Sequence, residues 1–242
     1  MNAPTLENSN LIQDLDETHC VASGELALVK RVSDDGIPVV TGWHRKCANL
    51  LIDQIDERFR GCNDYYVGGN VYLYFSFQQL ITRDFRGPDF FYVRGASRHP
   101  IRETWTLWKE DGQAPNVVVA LTSPSTREAD FGSKFRIYRD RLRVPEYFIY
   151  DPETFELVGW RLQSSKYETI EKDECGRLPS NELGLSLGTW DGEVVRDAAT
   201  WLRFFRPDGQ VSPTHVEAAG QQNEGPRIIV DEDQARVDSA EV

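Results

Sequence analysis

Residues 115–152 read PNVVVALTSPSTREADFGSKFRIYRDRLRVPEYFIYDP. The run Val117-Val118-Val119-Ala120-Leu121 is short and uninterruptedly apolar, and EYFIYD at 146–151 is a second run of the same kind after Pro145. Strands covered on both faces have this form, because neither face needs a polar side chain. Between the two, Ser125-Thr126-Arg127-Glu128 matches a capping box, in which hydroxyl and carboxylate satisfy each other's backbone N–H groups. Phe131, Phe135, Tyr138 and Leu142 follow at steps of four, three and four, which predicts a helix over 126–142 with one apolar stripe. Strand, helix and strand of this length make a crossover that sets two strands parallel in the middle of a sheet.

Upstream, Trp43, Cys47, Leu50, Leu51, Ile55 and Phe59 fall near helical spacing and predict an amphipathic first helix with His44 and Arg45 at its start. Tyr65 to Phe77 contains the turn signal VGGN and the β-forming stretch NVYLYFSF, and PDFFYV at 88–93 reads as a further strand. Downstream, 155–162 and 167–170 read as a hairpin, followed by short strands up to Phe205 and the Pro207-Asp208-Gly209 turn. The expected fold class is α/β: a mixed central sheet flanked by helices, with additional C-terminal β-hairpins. The expected domain runs over 38–211, between a polar acidic segment at 1–37 and an acidic tail at 212–242 on which the sequence imposes no structure.

A chain of 242 residues, 40% hydrophobic, buries one medium core more readily than two. The net charge of -12 is misleading as a guide to partners: residues 1–29 and 213–242 carry -5 each, which leaves the centre near neutral. An acidic chain of this kind does not exclude nucleic acid. The four cysteines show no CxxC spacing and read as reduced thiols; with no signal peptide and no apolar span, they point to a cytoplasmic protein without a membrane segment. No G-x-x-x-x-G-K-[ST] or G-x-G-x-x-G occurs, Ser123 lacks a G-x-S-x-G setting, and His44 with Cys47 has no second pair to complete a zinc site.

Asp89 stands at the entrance of the PDFFYV strand, where a carboxylate projects from the end of a sheet. It reads either as a strand-end cap or as part of a site for phosphodiester cleavage, in which carboxylates hold Mg²⁺ and a lysine stabilises charge. Asp130 and Lys134 lie one turn apart on the central helix and read either as an ordinary surface ion pair or as members of the same site. His44 is a capping group or a general base.

The order PDFFYV, PNVVVALTSPST, Asp130 with Lys134, and VPEYFIYDP resembles the Uma-two family of endonucleases of the PD-(D/E)XK type, over roughly residues 38–206. The resemblance implies a restriction-endonuclease-like sheet and a Mg²⁺- or Mn²⁺-dependent endonuclease acting on DNA, as a homodimer where both strands are cut. It implies Asp89 as the first metal-binding and catalytic acid and Lys134 as the catalytic cation. The chain departs from the family pattern at position 120, where Ala120 replaces the second acid, a Glu, and at Thr122, where an E-x-K motif has its lysine. The acid expected ahead of the His-Arg pair is also missing from 39–45. Asp130 is the residue left to serve as the second metal ligand. These losses set a second expectation beside the first: a catalytically inactive nuclease fold that binds nucleic acid or a protein. Arg94, Arg98 and Arg102 near the PD strand, and Arg127 and Arg136 on the helix, are the expected phosphate contacts. Trp105 and Trp108 read as core side chains ahead of base-stacking ones.

Overall fold

The computed structural model describes residues 41–76, 79 and 87–223. The expected N-terminal segment at 1–37, the proposed start of the domain near Pro38 and the tail beyond 223 lie outside the described residues.

Helix α1 (Gly42–Arg58) starts where the side chain of Thr41 accepts the backbone N–H of His44, and it buries Cys47, Ala48, Leu50, Leu51, Gln54 and Ile55 along one stripe. Strands β1 (Tyr65–Gly68), β2 (Tyr72–Tyr74), β3 (Phe90–Arg94), β4 (Thr104–Thr106) and β5 (Val117–Leu121) follow. All five residues of β5 are buried, as its unbroken apolar run requires of a central strand. Residues 127–141 form α2, whose stretches Asp130–Lys134 and Ile137–Arg141 are wound as π-helix.

After α2 come β6 (Glu146–Asp151), β7 (Glu156–Gln163), β8 (Lys166–Thr169), β9 (Leu178–Ser180), β10 (Leu185–Val194), β11 (Asp197–Phe205) and α3 (His215–Asn223). The main sheet has the order β1-β3-β5-β6-β7-β8. Its central pair β5–β6 is parallel, with Val117 opposite Glu146 and Leu121 opposite Tyr150, and the β3–β5 pair is antiparallel. Strand, α2 and strand thus form the crossover that residues 115–152 predict, in a mixed sheet.

Side-chain alternation divides the core in two. Phe90, Tyr92, Val117, Val119, Leu121, Phe148 and Tyr150 pack with α1 and with Trp201, Leu202 and Phe204 of β11. Phe91, Val93, Val118, Ala120, Tyr147 and Ile149 face the other way, onto Tyr138 and Leu142 of the α2 region and onto Leu73 and Trp105 of the small β2–β4 pair. The C-terminal strands build the β9–β10–β11 sheet against α1, where Trp43 stacks on Trp201 with ring centroids 5.8 Å apart. The β7–β8 hairpin turns at Ser164 and Ser165, both with positive φ.

Two expectations need correction. The capping box at 125–128 does not form: the Thr126 side chain makes no cap bond to the helix. The turn closes on Ser123 instead, whose carbonyl accepts the N–H of Thr126 at 3.0 Å and of Arg127 at 2.8 Å, while its own N–H donates to the Thr126 hydroxyl at 3.1 Å. Nor does structure stop at 211. Thr214 and Glu217 exchange side-chain-to-backbone bonds, so the sequence Thr214-His-Val-Glu217 is the capping box that starts α3. Glu217 also takes the guanidinium of the buried Arg203, and His215 pairs with Asp53 of α1. Among the described residues no helix is long and apolar enough to cross a membrane.

Candidate functional site

The antiparallel register of β3 and β5 positions the first acid. Phe90 lies opposite Val119, so one step further along the ladder Asp89 lies opposite Ala120. Alternation carries both, and Thr122 beyond them, to the face that α2 covers. There the carboxylate of Asp89 accepts the backbone N–H of Leu121 at 2.8 Å. The hydroxyl of Thr122 donates to one oxygen of Asp130 at 2.8 Å, and the ammonium of Lys134 donates to the other at 2.5 Å. The hydroxyl of Tyr147 fixes the backbone carbonyl of Asp130 at 3.1 Å. Asp130 is only 1% exposed, so its pair with Lys134 within α2 is not an ordinary solvated ion pair, and its bond from Thr122 ties α2 to the end of β5.

His44 joins this end of the sheet from the opposite layer. Its Nε2 lies 3.1 Å from the carbonyl oxygen of Leu121, an atom that only accepts, so Nε2 carries the hydrogen. Nδ1 lies 2.7 Å from the Thr41 hydroxyl. Leu121 is thereby held at its N–H by Asp89 and at its C=O by His44. Sequence reasoning gave Leu121 no part in the site and saw at Thr122 only the position of a missing lysine. The signal that reveals them is the β3–β5 register, which no spacing within one strand contains.

Burial pushes the Asp89 carboxyl up to about 6; the Leu121 N–H, His44 and Lys134 pull it back down, and the negative charge of Asp130 raises it. A carboxyl perturbed by desolvation among specific charged partners is characteristic of functional sites.

The nuclease reading implies Mg²⁺ or Mn²⁺, which bind through several oxygens and mainly through carboxylate charge. Here one acid of the pair, Asp130, has both oxygens engaged by Thr122 and Lys134. Among the described residues no three His, Cys, Asp or Glu side chains gather where they could hold a metal ion. The residues as arranged do not fit a divalent cation.

The expected phosphate contacts separate. Arg94 ends β3, at the opposite end of the strand from Asp89, so it does not flank the site. Arg94 pairs with Glu182, Arg98 with Asp56, and Arg102 with Glu110 while lying over the rings of Tyr66 and Trp105. Arg98 and Arg102 help line a cleft of about 270 Å³ beside the edge strand β1. Arg127 pairs with Asp151 and Glu156, and Arg136 is exposed. Trp105 is fully buried and belongs to the core, with its ring N–H on the carbonyl of Gln113. Ser123 sits at the rim, its hydroxyl near those of Ser125 and Thr126 at 3.1 and 3.2 Å.

Comparison with known proteins bears on this arrangement. The family Uma2, described as "Putative restriction endonuclease", matches residues 33–198, a span that includes Asp89, Ala120, Asp130 and Lys134. No curated protein matches the chain. Among solved structures, a protein described as "a putative nuclease belonging to DUF820" from Anabaena variabilis ATCC 29413 superposes with a TM-score of 0.45 at 14% identity, covering 60% of this chain and 76% of that one. With the family match extending over more than half of its length, the chain belongs to the Uma2 family of restriction-endonuclease-type proteins.

Proposed function

We propose that this chain is a DNA-directed nuclease domain of the cytoplasm whose phosphodiester-hydrolysing centre is attenuated. Asp89 and Lys134 are what remains of that centre. The observation that carries the reading is the β3–β5 register: Asp89 lies across the ladder from position 120, where an acid would stand about 5 Å away between Cβ atoms, and this chain has Ala120. Half of a carboxylate pair thus faces a lysine on the covering helix. Lys134 supplies the positive charge that a phosphodiester's non-bridging oxygens require, and Leu121 N–H holds the Asp89 carboxylate in place. A centre of this type would draw its activated water from a divalent cation, and with Ala120 in place of the second acid Asp89 alone would hold one weakly.

The engagement of both Asp130 oxygens favours a second reading, a non-catalytic relative that binds DNA. Cleavage and low-salt binding of mixed single-stranded and duplex DNA, with Mn²⁺ present, separate the two. Slow cleavage that disappears in Asp89→Ala supports the attenuated nuclease. Binding without cleavage, weakened in Arg136→Ala, supports the second reading, and neither binding nor cleavage refutes both.

A further inference from the structure

We propose that Lys134 is the resident counter-cation of this centre and competes with a divalent cation for Asp130, so that the chain's own lysine, together with Ala120, keeps metal out. This deepens the reading of Asp89 as a metal-directed acid and rests on it.

The Asp130 carboxylate, 1% exposed, must be compensated where it sits, or it gives up its charge. The compensation is internal: Lys134 follows four residues later on the same helix, its ammonium is 2.5 Å from one oxygen, and the Thr122 hydroxyl takes the other. Nothing from outside the fold is needed to complete that set. Counting Asp89, Asp130 and Lys134, the face keeps about one net negative charge, too little to hold a hard dication firmly. A metal entering here would have to displace the ammonium, whose side chain is only 22% exposed, and leave it beside a doubly charged ion.

The proposal reverses the usual expectation for a lysine at a nuclease centre. Removing it leaves Asp89 and Asp130 on one face with no ammonium beside Asp130, so that an entering Mg²⁺ or Mn²⁺ supplies the compensation Asp130 then lacks. Ala120→Glu reaches the same net charge by addition. Asp130 becomes a positioning residue for Lys134 in the natural chain and a ligand only when the lysine is gone.

The test is thermal unfolding of the full chain with 5 mM MnCl₂ or MgCl₂ against NaCl of equal ionic strength, for the natural chain, Lys134→Met, the double variant Lys134→Met/Asp130→Asn, and Ala120→Glu. The expected result is a shift under about 1 °C for the natural chain and a rise of about 3 °C or more for Lys134→Met that disappears in the double variant. Should Lys134→Met not fold, Lys134→Gln keeps an amide donor for Asp130 without the charge and takes its place. If Ala120→Glu responds to metal but the lysine variants respond no more than the natural chain, the competition is wrong while the nuclease reading stands. If no variant responds, Asp89 is not a metal-directed acid and both fall.

Discussion

Asp89→Asn is expected to stabilise the protein. The side chain keeps its shape, and its amide oxygen can still accept the N–H of Leu121. What it loses is a charge that the fold holds at a cost: burial raises the carboxyl from 3.8 to about 6. At roughly 1.4 kcal/mol per pKa unit, this corresponds to about 2 to 3 kcal/mol against the folded state above pH 6. The sign follows from proton counts. Between about pH 4 and pH 6 the unfolded chain has already released this proton while the folded chain keeps it, so stability contributed by Asp89 falls as pH rises through that window and stays low above it. Urea unfolding of the natural chain and Asp89→Asn at half-unit steps from pH 4 to 8 gives the difference directly. The curves should nearly coincide at pH 4 and separate to 2 to 3 kcal/mol, or roughly 5 to 10 °C in Tm, by pH 7. A variant less stable than the natural chain at pH 7, or a difference independent of pH, would refute the reasoning.

Asp130→Ala is expected to cost about 3 kcal/mol in the same assay, since it strands the half-buried Lys134 ammonium and the buried Thr122 hydroxyl. Gly69→Ala should cost about 2 kcal/mol or more, because a Cβ there would lie 2.1 Å from the backbone oxygen of Asp89; a near-neutral result would show that the Asp89 end of β3 yields easily. Glu217→Ala removes both the cap of α3 and the partner of the buried Arg203. Hydrogen exchange over 215–223 should then rise well above exchange in β5, and unchanged protection would count against the capping box as the lock on that helix.

Much of the fold is legible where one segment carries its own signal. The unbroken apolar runs at 117–121 and 146–151 announce central strands, and their separation announces a crossover. Local hydrogen-bond chemistry is harder to read. Ser125 and Glu128 look like a cap, yet the backbone of Ser123 and the hydroxyl of Thr126 close the turn first. At 214–217 the same type of motif does form, because the helix it starts finds partners in Arg203 of the preceding strand β11 and in Asp53 of α1, far earlier in the chain. The site divides in the same way. Asp89, Asp130 and Lys134 stand out by residue type and order. That Asp130 is buried and shared by Thr122 and Lys134 depends on which face of β5 meets α2, and that Arg94 sits away from Asp89 depends on strand direction. Neither is contained in a count of arginines.

Mn²⁺-dependent cleavage of DNA by Ala120→Glu, beside the natural chain and the double variant Ala120→Glu/Asp89→Ala, tests the central claim most directly. The added glutamate should stand across the ladder from Asp89, with Lys134 on the covering helix. The account expects Ala120→Glu to cut at least about tenfold faster than the natural chain and to lose that gain with Asp89. A folded Ala120→Glu that cuts no faster, or a gain that survives Asp89→Ala, would contradict it.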